Sequence, residues 1–227
     1  MTMLTSYTSP NYEDRAPGTD IDMLVLHYTG MQSAKEALDR LCDPSAKVSA
    51  HYLIDEDGSL YQLVHEEKRA WHAGVARWRG ADNVNDRSIG IELVNPGHEF
   101  GYRDFPTKQI HCLIDLCRDL MARHPIPARN VVGHSDVAPT RKTDPGERFP
   151  WPLLSRLGIG LENQTKPVPH WGMTYVEPAL ARVGYDTRNI HAALTAFQRH
   201  YRPKLLTGLP DKETAELLTG LLAQIDS

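Results

Sequence analysis

Short apolar runs set between polar, glycine-bearing turns dominate the first two thirds of the chain. Ile21 to His27 contains Met23-Leu-Val-Leu26 and is closed by Gly30, the pattern of a short buried strand. Ala50 to Ile54 and Ser59 to Val64 read as two more strands. Between them lies Asp55-Glu-Asp-Gly58, whose Asp-Gly pair suits the positive φ of a hairpin turn. Ile89 to Val94 and Asn130 to Gly133 follow as further strands. Helical spacing appears between these runs. Ser33 to Leu41 repeats apolar residues at Ala34, Ala37, Leu38 and Leu41, and Lys108 to His124 puts Ile110, Leu113, Ile114, Cys117 and Leu120 on one face. Alternating strands and helices with a hairpin predict an α/β domain, a mixed central β-sheet flanked by helices.

The pattern changes near residue 160. Residues 163–169 are polar, carry two prolines and read as a linker. Beyond them Val176 to Val183, Thr187 to His200 and Asp211 to Gln224 read as three helices, with Asp186 or Thr187 capping the second and Asp211 the third. The expected division is an irregular N-terminal arm (1–20), the α/β domain (21–162), the linker (163–169) and a small three-helix domain (170–227).

Composition narrows the function. The 227 residues are 41% hydrophobic and 24% charged, an ordinary globular balance. A net charge of −4 provides no basic footprint, which argues against nucleic acid as a partner. No stretch approaches the roughly 20 apolar residues of a membrane span. The first residues lack a basic start and an apolar core, so a cytoplasmic location is expected, or a periplasmic one if a leader has been removed. Cys42, Cys112 and Cys117 have no disulfide spacing and read as small buried hydrophobes. The sequence leaves the oligomeric state open.

Candidate chemistry sits at the ends of the strands. His27 closes the first strand and His134 the last, and Asp144 lies in a loop bounded by Pro139 and Pro145. Two imidazoles and a carboxylate can hold zinc with one position left open for chemistry. Glu92 interrupts the apolar strand Ile89-Gly-Ile-Glu-Leu-Val94. A carboxylate there must face solvent, a partner or a cavity, because burying it unpaired is costly. It is either a general base or part of a wet edge. Lys142 is either a surface lysine or a cation aimed at a developing oxyanion. The sequence contains no His-Glu-x-x-His, Cys-x-x-Cys, Gly-x-Ser-x-Gly, Walker or dinucleotide pattern.

These residues lie in six ordered blocks: Leu24-Val-Leu-His-Tyr-Thr-Gly30, Val48-Ser-Ala-His-Tyr-Leu-Ile54, Arg69-Ala-Trp-His-Ala-Gly74, Asn85-Asp-Arg-Ser-Ile-Gly-Ile-Glu-Leu-Val-Asn95, Val132-Gly-His-Ser-Asp136 and Arg141-Lys-Thr-Asp-Pro-Gly146. In that order they resemble the zinc-dependent N-acetylmuramoyl-L-alanine amidases of the AmpD/AmiD type. The resemblance implies one zinc ion per chain, held by His27, His134 and Asp144. It implies that Glu92 activates water and that Lys142 stabilises the oxyanion. Trp71, His72, Ala73 and Asn95 would contact the substrate, a muropeptide or peptidoglycan fragment. The bond cut would join N-acetylmuramic acid, expected in its 1,6-anhydro form, to the L-alanine of the stem peptide. Related phage lysozymes and peptidoglycan-recognition proteins carry a tyrosine where Ala50 stands here, which shifts the burden to Glu92. The last 60 or so residues resemble a peptidoglycan-binding three-helix domain through Leu180-Ala-Arg-Val-Gly-Tyr185, Leu194-Thr-Ala-Phe-Gln-Arg-His200 and Thr214-Ala-Glu-Leu-Leu218. Two other readings stand beside this one, a non-catalytic peptidoglycan sensor and a zinc carboxypeptidase of the cell wall. The sensor reading is disfavoured because all three ligands are present.

Overall fold

The computed structural model describes residues 3–227. In chain order its first half contains β1 (Met3–Leu4), β2 (Tyr12–Asp14), β3 (Met23–Tyr28), α1 (Ala34–Cys42), β4 (Tyr52–Ile54), β5 (Leu60–Gln62), β6 (Lys68–Ala70), α2 (Val84–Arg87), β7 (Ser88–Leu93) and α3 (Gly97–Phe100). The second half contains α4 (Thr107–Arg123), β8 (Val131–Gly133), α5 (His134–Val137), α6 (Trp151–Ser155), α7 (Met173–Val183), α8 (Ile190–Tyr201) and α9 (Lys212–Ile225).

Six strands form the central sheet in the order β1-β5-β4-β7-β3-β8, and β2 and β6 form a separate antiparallel ribbon. Among the described residues only the hairpin pair β4/β5 of the sheet runs antiparallel. The sheet is mixed, as the alternation of apolar runs predicts. Strand β3 is covered on both faces, which is why Met23-Leu-Val-Leu26 is apolar without interruption. Leu24 and Leu26 pack with Ile110, Leu113 and Leu120 of α4. Met23 and Val25 point the other way, into a core shared with Trp78, Val132 and residues of all three C-terminal helices, among them Leu180, Phe197 and Leu218. Each such side chain contributes about 1.5–3 kcal/mol on burial. A smaller cluster joins Ala37, Leu38 and Leu41 of α1 to Leu53, Leu63 and Val94.

The structure departs from the sequence expectation in three places. The arm is not irregular: β1 extends the sheet edge and β2 pairs with β6. Arg15 anchors it, donating to the carbonyls of Glu66, Asn85, Asp86 and Ser88 and standing 3.0 Å from His51 Nε2. Residues 163–169 do not hang free either. Lys166 N donates to the Glu216 carbonyl, and Gly220 brings α9 so close to Gln164 that a Cβ there would collide with its carbonyl. The three C-terminal helices thus share a core with the sheet instead of forming a tethered module. Finally, Thr187–Asn189 is a 3-10 turn with Asp186 accepting from Arg188 N, and α8 starts at Ile190 with Asn189 as its cap. Ser33 caps α1 and Asp211 caps α9 through their side-chain oxygens.

Candidate active site

The carboxyl ends of three parallel strands converge on one crevice, the place where open α/β sheets bind ligands. His27 lies near the end of β3. Glu92 lies beside it in register on β7, and His134 follows directly after β8. Asp144 returns to the same point because Ser135 N donates to its carbonyl at 2.9 Å. Tyr102 holds the far side of that loop, donating its hydroxyl to the Pro145 carbonyl at 2.6 Å.

The result is a near-equilateral triangle of donor atoms. His27 Nδ1 and His134 Nδ1 are 2.9 Å apart, and each lies 3.1 Å from Asp144 Oδ2. All three residues are buried. Their hydrogen-bond partners fix the tautomers. The Ser88 hydroxyl donates to the Val84 carbonyl at 2.6 Å, so it accepts from His72 Nε2 at 3.1 Å. His72 Nδ1 is then an acceptor, and His27 Nε2 donates to it at 3.1 Å. His134 Nε2 lies 3.0 Å from the Ala73 carbonyl and must donate there. Both imidazoles therefore turn an Nδ1 lone pair towards a carboxylate oxygen. Three electron-rich atoms so close repel one another unless a cation sits among them. Ligands about 2.0–2.2 Å from a tetrahedral cation stand about 3.3–3.6 Å apart, a few tenths of an ångström wider than the spacing found. The residues fit a divalent metal.

Burial, helped by the neighbouring His134, lowers the pKa of His27 to about 4, so its lone pair is free at neutral pH. Burial works against the Asp144 carboxylate, and a proton on a facing imidazole holds its pKa below the ordinary range, a part that a bound cation would take over once both rings are neutral. Burial pushes Glu92 up to about 8, with the Asp144 charge adding to the rise and Lys142 opposing it. Glu92 Oε2 is buried and meets no hydrogen-bond partner. A carboxyl with a raised pKa, unpartnered at Oε2 and beside three possible metal ligands, is chemically suited to act as a general base.

The cleft above the triangle has a volume of about 380 Å³. Its walls include Tyr28, Met31, Arg40, Trp71, Lys142 and Thr143, with Glu92 and the three donors within it. Lys142 thus lines the same cleft as Glu92 and the three donors. Trp71 and His72 both line the cleft. His72, largely buried, is also the partner of His27. Ala73 is wholly buried and offers its carbonyl to His134 and Arg141. Asn95 is also fully buried. It holds the following loop by donating to the Arg103 carbonyl at 2.8 Å and accepting from Gly97 N at 3.0 Å, so it does not face the cleft. The sequence reading missed these supporting roles. One signal was available: Gly90 shares a strand face with Glu92, and a Cβ there would run into the His72 ring.

Comparison with known proteins agrees with this geometry. Residues 17–147 match the family described as N-acetylmuramoyl-L-alanine amidase. The chain is 40% identical to N-acetylmuramoyl-L-alanine amidase AmiD of Escherichia coli, over 89% of this chain and 82% of AmiD. It is 38% identical to 1,6-anhydro-N-acetylmuramyl-L-alanine amidase AmpD of Salmonella typhimurium, over 66% of this chain and 87% of AmpD. The solved complex of E. coli AmiD with anhydro-N-acetylmuramic acid-L-Ala-D-γ-Glu-L-Lys superposes with a TM-score of 0.81 at 36% identity, covering 92% of each chain.

Proposed function

Because the chain belongs to the N-acetylmuramoyl-L-alanine amidase family, we propose that it uses one zinc ion, held by His27, His134 and Asp144, to hydrolyse the amide between anhydro-N-acetylmuramic acid and L-alanine of a stem peptide. The observation that carries this reading is the triangle of two imidazole lone pairs and a carboxylate oxygen, 2.9–3.1 Å on a side. Neutral nitrogen donors with one carboxylate and an open side suit catalytic zinc. Zinc bound there supplies Lewis-acid chemistry, polarising the amide carbonyl and bringing the pKa of water in the site towards about 7.

The chain's own residues supply the proton handling. Glu92 takes a proton from the attacking water as the new C–O bond forms. It returns that proton to the amide nitrogen as the C–N bond breaks, so that a free amine departs. Lys142 faces the carbonyl oxygen as negative charge develops on it. Trp71 and Met31 form the apolar wall against which the substrate lies. An anhydro-muropeptide carries its negative charge on the peptide, and the cations of the cleft, Arg40, Arg141 and Lys142, suit that charge.

No helix among the described residues is long and apolar enough to cross a membrane. A cytoplasmic site of action goes with small soluble fragments as substrate, and a periplasmic one with larger wall material. Mass spectrometry of products from soluble anhydro-muropeptides and from purified sacculi, run side by side with zinc-loaded protein, tests both points. Free stem peptide from the soluble fragment is the expected product. A shortened peptide still attached to the sugar would mean a carboxypeptidase instead, and unchanged substrate a binding protein.

A further inference from the structure

The last turn of α8 grips both ends of the loop that carries His134 and Asp144. At one end Asp136, two residues past His134, is almost wholly buried. It accepts from Gly133 N at 2.7 Å, which fixes the backbone just before His134. Its remaining capacity is met from the C-terminal helical unit. His200 Nδ1 donates to Oδ2 and the Tyr185 hydroxyl donates to Oδ1, both at 2.7 Å. The His200 ring is itself clamped between Trp151, 3.7 Å away and nearly parallel, and Tyr201, 4.1 Å away. At the other end Arg199, the residue before His200, donates to Glu147 Oε1 at 2.6 Å. The second Glu147 oxygen lies 2.7 Å from His98 Nε2, and His98 in turn lies 2.8 Å from the hydroxyl of Tyr28, the residue after His27. Arg199, His200 and Tyr185 are all buried in these contacts.

We infer that Tyr185, His200 and Arg199 are positioning residues for the metal site: the C-terminal helical unit works as a built-in brace that sets His134 and Asp144, and not as a separate wall-binding module. The inference rests on the reading of His27, His134 and Asp144 as a zinc site. Two further observations point the same way. Tyr185, Phe197 and Tyr201 are turned inward and buried, while Trp171 stays exposed at the start of the unit. The helices also share their apolar core with Met23 and Val25 of β3, on the strand face that carries His27. Partners of this kind matter because a buried carboxylate stripped of its donors is costly and will pull its own loop out of place to find others.

The test uses the full chain and reads zinc affinity by chelator competition, alongside the melting temperature of the metal-free protein. His200→Phe keeps a ring between Trp151 and Tyr201 but removes the donor. His200→Asn keeps a donor near the Nδ1 position and loses the stacking. Tyr185→Phe removes a single hydroxyl and leaves the packing intact. H200F and Y185F are expected to weaken zinc binding about 10- to 100-fold. H200N is expected to bind zinc as the unmodified protein does while melting at a lower temperature. Normal zinc affinity in both H200F and Y185F would overturn the brace, as would equal loss in H200N and H200F, because then the stacking and not the hydrogen bond would matter. If the unmodified protein itself binds no zinc, the zinc reading fails, and the brace with it.

Discussion

The imidazoles of His27 and His134 confront each other through their Nδ1 atoms, 2.9 Å apart, with ring planes at 72°. Each ring has its other nitrogen committed, His27 to His72 and His134 to the Ala73 carbonyl. Neither can rotate away without breaking a buried hydrogen bond. The repulsion between the lone pairs is therefore built into the fold, and a metal relieves it.

Metal removal should accordingly cost stability as well as activity. A ligand that binds only the folded state stabilises it by about 2.7 kcal/mol at a hundred times its Kd. Zinc titration followed by thermal unfolding should show a rising Tm. The rise should vanish in His27→Ala and Asp144→Ala, together with amidase activity. A Tm indifferent to zinc in the unmodified protein would speak against the site.

Glu92 should be dispensable for the metal and indispensable for turnover. Glu92→Gln keeps the size of the side chain and removes the proton acceptor. Loss of a general base of this kind costs about 10²- to 10⁴-fold in rate. The zinc dissociation constant should stay unchanged. A variant that loses zinc in proportion to its activity would show that Glu92 acts on the site's structure.

The same carboxyl makes the metal-free protein pH-sensitive. Its folded pKa is raised to about 8 from an ordinary 4.5, by burial first and by the Asp144 charge second. Between those values the folded state holds a proton that the unfolded chain has released. Stability is thus fully present below the lower value and is lost as pH rises through about 8. Denaturant unfolding of the metal-free protein across that range should show this fall, and Glu92→Gln should flatten it. An equal slope in the variant would assign the pH dependence to another group.

Lys142 pulls the Glu92 pKa down and faces the same cleft. Lys142→Met should lower kcat by about 10²- to 10³-fold if the ammonium meets the oxyanion. It should also shift the pH midpoint of the metal-free protein upward, because a nearby cation no longer favours the ionised carboxylate. A change in KM alone would reduce Lys142 to a substrate contact.

His72 separates a supporting role from a contact role. His72→Phe fills the space under Gly90 but cannot accept from His27 Nε2. It should weaken zinc about 10- to 100-fold, and Gly90→Ala should do the same by forcing the ring aside. A raised KM with normal zinc affinity would instead restore the sequence-based expectation that His72 touches the substrate.

Much of this site was legible in the sequence because strand ends are legible. His27 and His134 each close an apolar run, and in a parallel sheet such positions come to the same edge. Glu92 stood out as a carboxylate inside an apolar strand. What the pattern could not convey is long-range pairing. Asp136 looks like an ordinary turn residue until Tyr185 and His200 arrive from about 50 and 64 positions away. The polar arm hid Arg15, whose partners lie 36 to 73 residues on. The polar stretch 163–169 suggested independence because its side chains are mostly exposed, but its backbone is tied to α9 through Lys166 N and the Glu216 carbonyl. Asn95, grouped with the cleft by its place in a block, follows a strand whose faces alternate, and it falls on the inward side.

The most direct test is a crystal of the zinc-loaded protein measured on both sides of the zinc absorption edge. One strong anomalous peak per chain is expected, bonded to His27 Nδ1, His134 Nδ1 and the Asp144 carboxylate, with its remaining side open to the cleft beside Glu92. A peak bound through the Nε2 atoms, or located elsewhere with the triangle vacant, would contradict it.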